Sequence, residues 1–378
     1  QEYPFPVGYK YDYCNPDVLM NRLSVKDGLV VTPEGLSYRF IWIPENKRML
    51  PETLEKLHAL LEQGAIVVAN APQRIATLVG GEEAQARFEE NVKAIWGKAA
   101  DGAITTIGKG RLLAGVTIEK AIEMLGLKQD VIGDVRWLHR HVKGADWYFI
   151  TPEKQQAFKG KVSFRAQGAA ELWDPITGEI TPLNVERQGE YASIELDMPK
   201  AGSCFVVFNH NKKQQEVEKV ALANTQSIDN KWTVQFPEGW EAPAELEIET
   251  LAPWCEWPMS KEGQAFSGTA TYTTTFNWSN ESKEVVLELG KVSMIAEVFV
   301  NDQKVRTLWC TPYAADITSY LKQGENKLQV KVTSTWFNRL AYDASLPEAE
   351  RKTWTIEGPK ADAKLKEYGL LGPVNLKF

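Results

Sequence analysis

The chain has 378 residues, 43% of them hydrophobic and 25% charged, so it carries enough apolar material for two or three folded units rather than one core. A net charge of -7 with no local Lys/Arg run leaves no footprint for a phosphate backbone, and nucleic acid is not an expected partner. No uninterrupted apolar stretch approaches the roughly 18 residues that would read as a membrane-spanning helix.

In chain order, the first third alternates strand and helix signals. Residues 38–43 (YRFIWI) form an apolar run, and a turn is expected at residues 44–46. Leu54, Leu57, Leu60 and Leu61 then recur at helical spacing over residues 50–63, closed by Gly64. Residues 65–69 (AIVVA) read as a buried strand, 82–96 as a second amphipathic helix, 104–107 as a short strand and 118–125 as a third helix. Strand followed by helix, repeated, implies a parallel α/β layer of the flavodoxin-like kind.

Near Asp130 the pattern changes to short strands at residues 147–151, 161–165, 171–174, 193–196 and 203–208, with no further amphipathic helix expected. These make a small β-sandwich, and the polar stretch 209–218 (NHNKKQQEVE), apolar-poor until Val220, reads as a linker. Strands at 233–236, 244–249, 268–276, 284–289, 294–300 and 327–333 then suggest a jelly roll. The expected units are 1–130, an α/β domain; 131–215, the sandwich; and 216–378, the jelly roll.

Catalytic signatures are sparse. Of four histidines, His58, His139, His141 and His210, none lies in a GxSxG elbow, an HExxH helix or a phosphate loop, and Gly108-Lys109-Gly110 with Gly115 has the wrong spacing for dinucleotide binding. His139 and His141 alternate on a strand and share a face, but no third ligand stands nearby, so a polar strand at a domain junction is expected rather than a metal site. Cys14, Cys204, Cys255 and Cys310 are dispersed, leaving only a pairing of Cys255 with Cys310 open. Thirteen tryptophans suit both sandwich cores and stacking on sugar faces.

One constellation is more specific. Residues 294–340 run strand, Asn301-Asp302 turn, aromatic loop at 309–313, Asp316-Ile317-Thr318, Gly324-Glu325-Asn326, strand. This resembles the sugar-binding jelly-roll domain of glycoside hydrolases, with Asp302 where that family more often has glycine. With SGTATY at 267–272, LGKV at 289–292, WFNRL at 336–340, GLLGPV at 369–374, HRHVKGADWYFI at 139–150 and YDYCNPDVLMNRLSVKDG at 11–28, the chain resembles the region after the catalytic barrel in glycoside hydrolase family 106, the α-L-rhamnosidases. That resemblance implies a non-catalytic accessory or carbohydrate-binding region, secreted or periplasmic, whose partners are a rhamnose-containing glycan and a separate catalytic barrel. No catalytic residue can be carried onto this sequence. No cofactor is implied, and the oxygen-rich loops of jelly rolls leave a structural calcium open.

Stacking and hydroxyl recognition nominate Trp309 and Tyr313 in one loop and Trp336, Asn338 and Arg339 in another. The competing role for Trp336 and Arg339 is to staple the C-terminal segment to the core. Two other functions stay open: a free-standing carbohydrate-binding protein, and a glycosidase with a carboxylate pair that sequence spacing does not reveal.

Overall fold

The computed structural model describes residues 4–44, 47–154, 156–217 and 222–378. Most of the turn expected at 44–46, the end of the 209–218 stretch and Val220 lie outside them.

Three strands, Ile41–Ile43, Ile66–Ala69 and Gly110–Leu113, run parallel, and Ile104–Ile107 folds back antiparallel on the last. The third parallel strand is therefore Gly110–Leu113. The glycine cluster before it is the tight hairpin turn, and Gly110 lies so close to the Ala65 and Leu61 carbonyls that a Cβ would sit 2.3–2.4 Å from them. Because side chains alternate across a strand, Val67 and Leu112 face one side and Ile66, Val68 and Leu113 the other. The helices Pro51–Gln63 and Gly81–Trp96 cover the first side with Leu54, Leu57, Leu61, Phe88 and Ile95. Ile118–Met124, capped by the Thr117 hydroxyl, covers the second with Ala121. This is the expected parallel α/β layer with helices on both faces.

Residues 131–209 form two antiparallel sheets. One runs Val131–Ile132, Phe158–Phe164, Tyr191–Met198, Glu186–Gln188; the other runs Val135–Val142, Ala145–Pro152, Cys204–Asn209, Ala169–Trp173, Ile180–Pro182. Tyr148, Ile150, Phe164, Ile194 and Phe208 fill the space between them. The polar stretch that follows is laced to this sandwich rather than loose. Gln214 accepts from Ala170 N and donates to Leu183 O, and the Asn184 amide exchanges two hydrogen bonds with the Val217 backbone.

From Thr225 onward a six-stranded sheet, ordered Glu245–Ile248, Trp232–Gln235, Thr269–Trp278, Gly324–Thr333, Ile295–Val300, Gln303–Leu308, faces a four-stranded one made of Thr225–Ser227, Asn375–Lys377, Val286–Glu288 and Ala314–Asp316. Tyr272, Phe276, Leu287, Val298, Val330 and Leu376 pack between them. The Asn301-Asp302 turn is built as the resemblance implies. Both residues take the left-handed conformation, φ 50° and 65°, the geometry a two-residue hairpin requires, so aspartate is accommodated there without glycine.

One expectation is corrected. Residues 337–344 form an α-helix, Phe337–Ala344, although no helix was expected after Asp130 and Trp336, Asn338 and Arg339 were placed in a loop. All four cysteines are free, so Cys255 and Cys310 are not bridged.

Candidate functional site

Sheet register locates the aromatic candidates. Thr333 pairs with Ile295, and Ala296 with Leu308, so the strand ends preceding Ser334 and Trp309 flank Ile295 at one end of the six-stranded sheet. Two interstrand steps separate them, about 10 Å. Trp309 and Trp336 thus leave the same rim, and both indoles are exposed, 57% and 48%, with Met294 and Ile295 also open to solvent between them.

Trp336 packs edge-on against Trp240, ring centroids 5.3 Å apart, and forms one wall of an open groove of about 530 Å³ with Phe337, Leu340, Glu357 and Pro359. Beside this groove Trp354 and Ile356 are almost fully exposed. Apolar walls with one carboxylate suit a ligand that is flat and apolar on one face and hydroxylated on its edge. Trp309 stands nearer the middle sandwich: Arg306 bridges Glu179 at 2.8 Å, and burial together with the Asp174 charge pushes the Cys310 thiol up.

The other three nominated residues turn inward, contrary to the expectation that all five present themselves to a ligand. Tyr313 is buried and its hydroxyl donates to the Met294 carbonyl at 2.7 Å. Asn338 is fully buried, its amide accepting from Lys366 N and donating to Lys366 O, both at 2.8 Å. Arg339, 1% exposed, grips Asp343 through Nε at 3.2 Å and Nη2 at 2.5 Å, and Glu262 through Nη1 at 2.5 Å. A buried guanidinium persists only when paired in this way, so Arg339 is the staple that the competing reading described. Asp343 also accepts from the Thr353 N–H and hydroxyl, at 2.7 and 2.6 Å, which ties the helix to the segment carrying Trp354.

The sequence motifs behind the resemblance do the same work. The Ser267 hydroxyl accepts from Arg339 N, and Tyr272 Oη receives both Trp254 Nε1 at 2.6 Å and Leu370 N at 3.1 Å. Gly290 lies so close to Gly372 that a Cβ would sit 2.3 Å from its backbone. Sequence reasoning missed Glu357, Trp354 and the partner Trp240; the first two lie in a turn-rich segment with no periodic signal to mark them.

Comparison with known proteins agrees with this fold. Residues 1–187 match the family described as alpha-L-rhamnosidase, family 106 of the glycoside hydrolases, and residues 260–365 match the glycosyl hydrolase 2 galactose-binding domain-like family. A rhamnosidase structure from Novosphingobium sp. PP1Y superposes with a TM-score of 0.89 at 30% identity, covering 99% of this chain and 36% of that one. A protein from Formosa agariphila, a β-glucuronidase by name, is 36% identical over 38% of this chain and 15% of its own length. The chain therefore spans about a third or less of the relatives it matches. It resembles an α-L-rhamnosidase of glycoside hydrolase family 106 in sequence and fold, and carries a glycoside-hydrolase galactose-binding-like jelly roll.

Proposed function

We propose that this chain is the non-catalytic, carbohydrate-binding accessory region of a secreted or periplasmic α-L-rhamnosidase-like enzyme, working beside a catalytic barrel in the same longer protein. Its units are 1–130, 131–215 and 216–378. The observation that carries the reading is the jelly-roll rim, where Trp309 and Trp336 stand exposed beyond the ends of two strands that flank Ile295–Val300, and Trp336 walls a groove. The groove lining offers one carboxylate, Glu357, where glycoside hydrolysis ordinarily uses two on opposite sides of the bond. Among the described residues no sheet closes into a (β/α) barrel.

The ligand is a rhamnose-bearing glycan, the sugar class in the name of the Novosphingobium relative, its apolar sugar face against an indole and its hydroxyls toward Glu357. Calorimetric titration with rhamnose-containing oligosaccharides is expected to give binding that weakens about tenfold, on the order of 1.4 kcal/mol, in Trp336→Ala. An absence of heat with every glycan of a broad panel overturns the reading. The purified chain is expected to release no aglycone from an aryl rhamnoside; turnover would favour the hydrolase alternative.

A further inference from the structure

Three of the four histidines converge on one carboxylate. His139 and His141 alternate along Val135–Val142, His210 follows Cys204–Asn209, and the strand between them, Ala145–Pro152, carries Asp146. His139 Nε2 and His141 Nδ1 lie 3.0 and 2.7 Å from Asp146 Oδ1, and His210 Nε2 lies 2.9 Å from Oδ2. The second nitrogen of His139 meets another carboxylate, Asp130 Oδ2, at 2.8 Å. Tyr148 stacks on the His139 ring at 4.1 Å and donates to Asp130 Oδ1 at 3.3 Å. The ring nitrogens meet carboxylate oxygens at hydrogen-bond distance, and among the described residues no His/Cys/Asp/Glu group is disposed to hold a metal ion.

His139 differs from its two neighbours in one respect. A neutral imidazole has one N–H and one lone pair, so His141 and His210 can each donate to Asp146 in either charge state. His139 faces a carboxylate with both nitrogens, and only the imidazolium can donate to both. The neutral ring sets a lone pair against an anionic oxygen. Burial pulls the His139 pKa down, but hydrogen bonds and charge from Asp130 and Asp146 outweigh that and raise it above the ordinary histidine value. Burial pushes Asp146 up, yet its three imidazole donors hold it below the usual carboxylate range.

The position of the cluster gives this chemistry a consequence. Asp130 is where the chain enters the middle sandwich: its N–H donates to the Gly8 carbonyl, and its own carbonyl accepts from Arg165 N. His210 is where the chain leaves, its N–H donating to the Gly144 carbonyl. The path Asp130, His139, Asp146, His210 joins inlet to outlet. We propose that it is a proton-operated clasp, closed while His139 is an imidazolium and opened when that proton leaves, so that protonation sets how firmly the segments leading to the flanking units are held. With a raised folded-state pKa, the stabilisation is fully present below the ordinary histidine value, about 6.5, and is lost as pH rises through the folded value.

The other charged groups in contact with the cluster are Arg165, 3.6 Å from Asp130, and Arg140, which donates to the His139 carbonyl; Lys212, two residues beyond His210, pairs instead with Glu171 of Ala169–Trp173. Tyr9 and Tyr191 approach the inlet through hydrogen bonds to the Leu127 and Gln129 carbonyls. Of the side-chain types present, imidazole is the one that ordinarily changes charge between pH 6 and 8.

Hydrogen exchange of the full chain at pH 6 and 8.5, corrected for intrinsic rates and run with a chelator, reads the clasp. Protection of residues 128–134 and 205–217 is expected to fall several-fold at the higher pH, and to change less than about twofold in His139→Gln. His141→Gln is expected to keep the wild-type response. Equal protection at both pH values, or an unaltered response in His139→Gln, overturns the proposal. Should that variant fail to fold, 15N shifts of the wild-type imidazoles decide: both His139 nitrogens protonated at pH 6.5 supports the clasp, and a neutral ring at pH 6.5 ends it.

Discussion

Arg339 shows how a residue can be chosen for the right region and the wrong reason. Guanidinium groups recognise hydroxyls and carboxylates at a surface, but this one is spent on Asp343 and Glu262. Removing it leaves the buried Asp343 carboxylate without its cation, while Glu262 keeps Lys352 at 2.7 Å, so Arg339→Ala is expected to cost about 3–5 kcal/mol in urea unfolding. Trp309→Ala, on the surface, is expected to shift stability by no more than about 0.5 kcal/mol. The cluster also sets an acid limit. Burial raises Asp343, but Arg339 and Thr353 hold it below its ordinary value, so its contribution is present above the unfolded carboxylate pKa and lost as pH falls through the folded one. Acid unfolding monitored by tryptophan fluorescence is expected to begin at higher pH in Thr353→Val, which removes one of those donors.

At the scale of elements, the parallel layer was legible because each helix carries its leucines or aromatics on one face, and the sandwich and jelly roll because their strands alternate cleanly. What escaped was short or paired at long range. Phe337–Ala344 has eight residues and no side-chain cap, and its best sequence mark was the Arg339, Asp343 pair at i,i+4. His139 and His141 were placed on a common face, and Asp146 lies across the hairpin that pairs Val142 with Ala145, but His210, 64 residues from Asp146, could not be brought there by local spacing. Gly290 and Gly372 illustrate the same limit: their contact explains why glycines stand in both motifs, yet only the folded register reveals it. Gly290→Ala, at φ 64° with no room for a methyl group, is expected to destabilise by more than about 1 kcal/mol in thermal unfolding.

For the whole molecule, the segment that composition marked as a linker is instead held by Asn184, Gln214 and Lys212 along residues 210–217. Limited proteolysis is therefore expected to spare this stretch in the native chain, and to cut it in Asn184→Ala, where Val217 loses both partners. The strand that opens the jelly roll, Thr225–Ser227, pairs with Asn375–Lys377, and Asn224 and Phe378 exchange backbone hydrogen bonds. Gln226 reaches the Asn277 carbonyl and Phe378 packs on Trp278, at the far end of the strand whose near end, Thr269, borders the Trp336 rim. The two ends of the module thus meet at the pole opposite the Trp336 rim. Because its termini already close on each other there, a permuted module that joins 378 to 224 is expected to keep that rim intact.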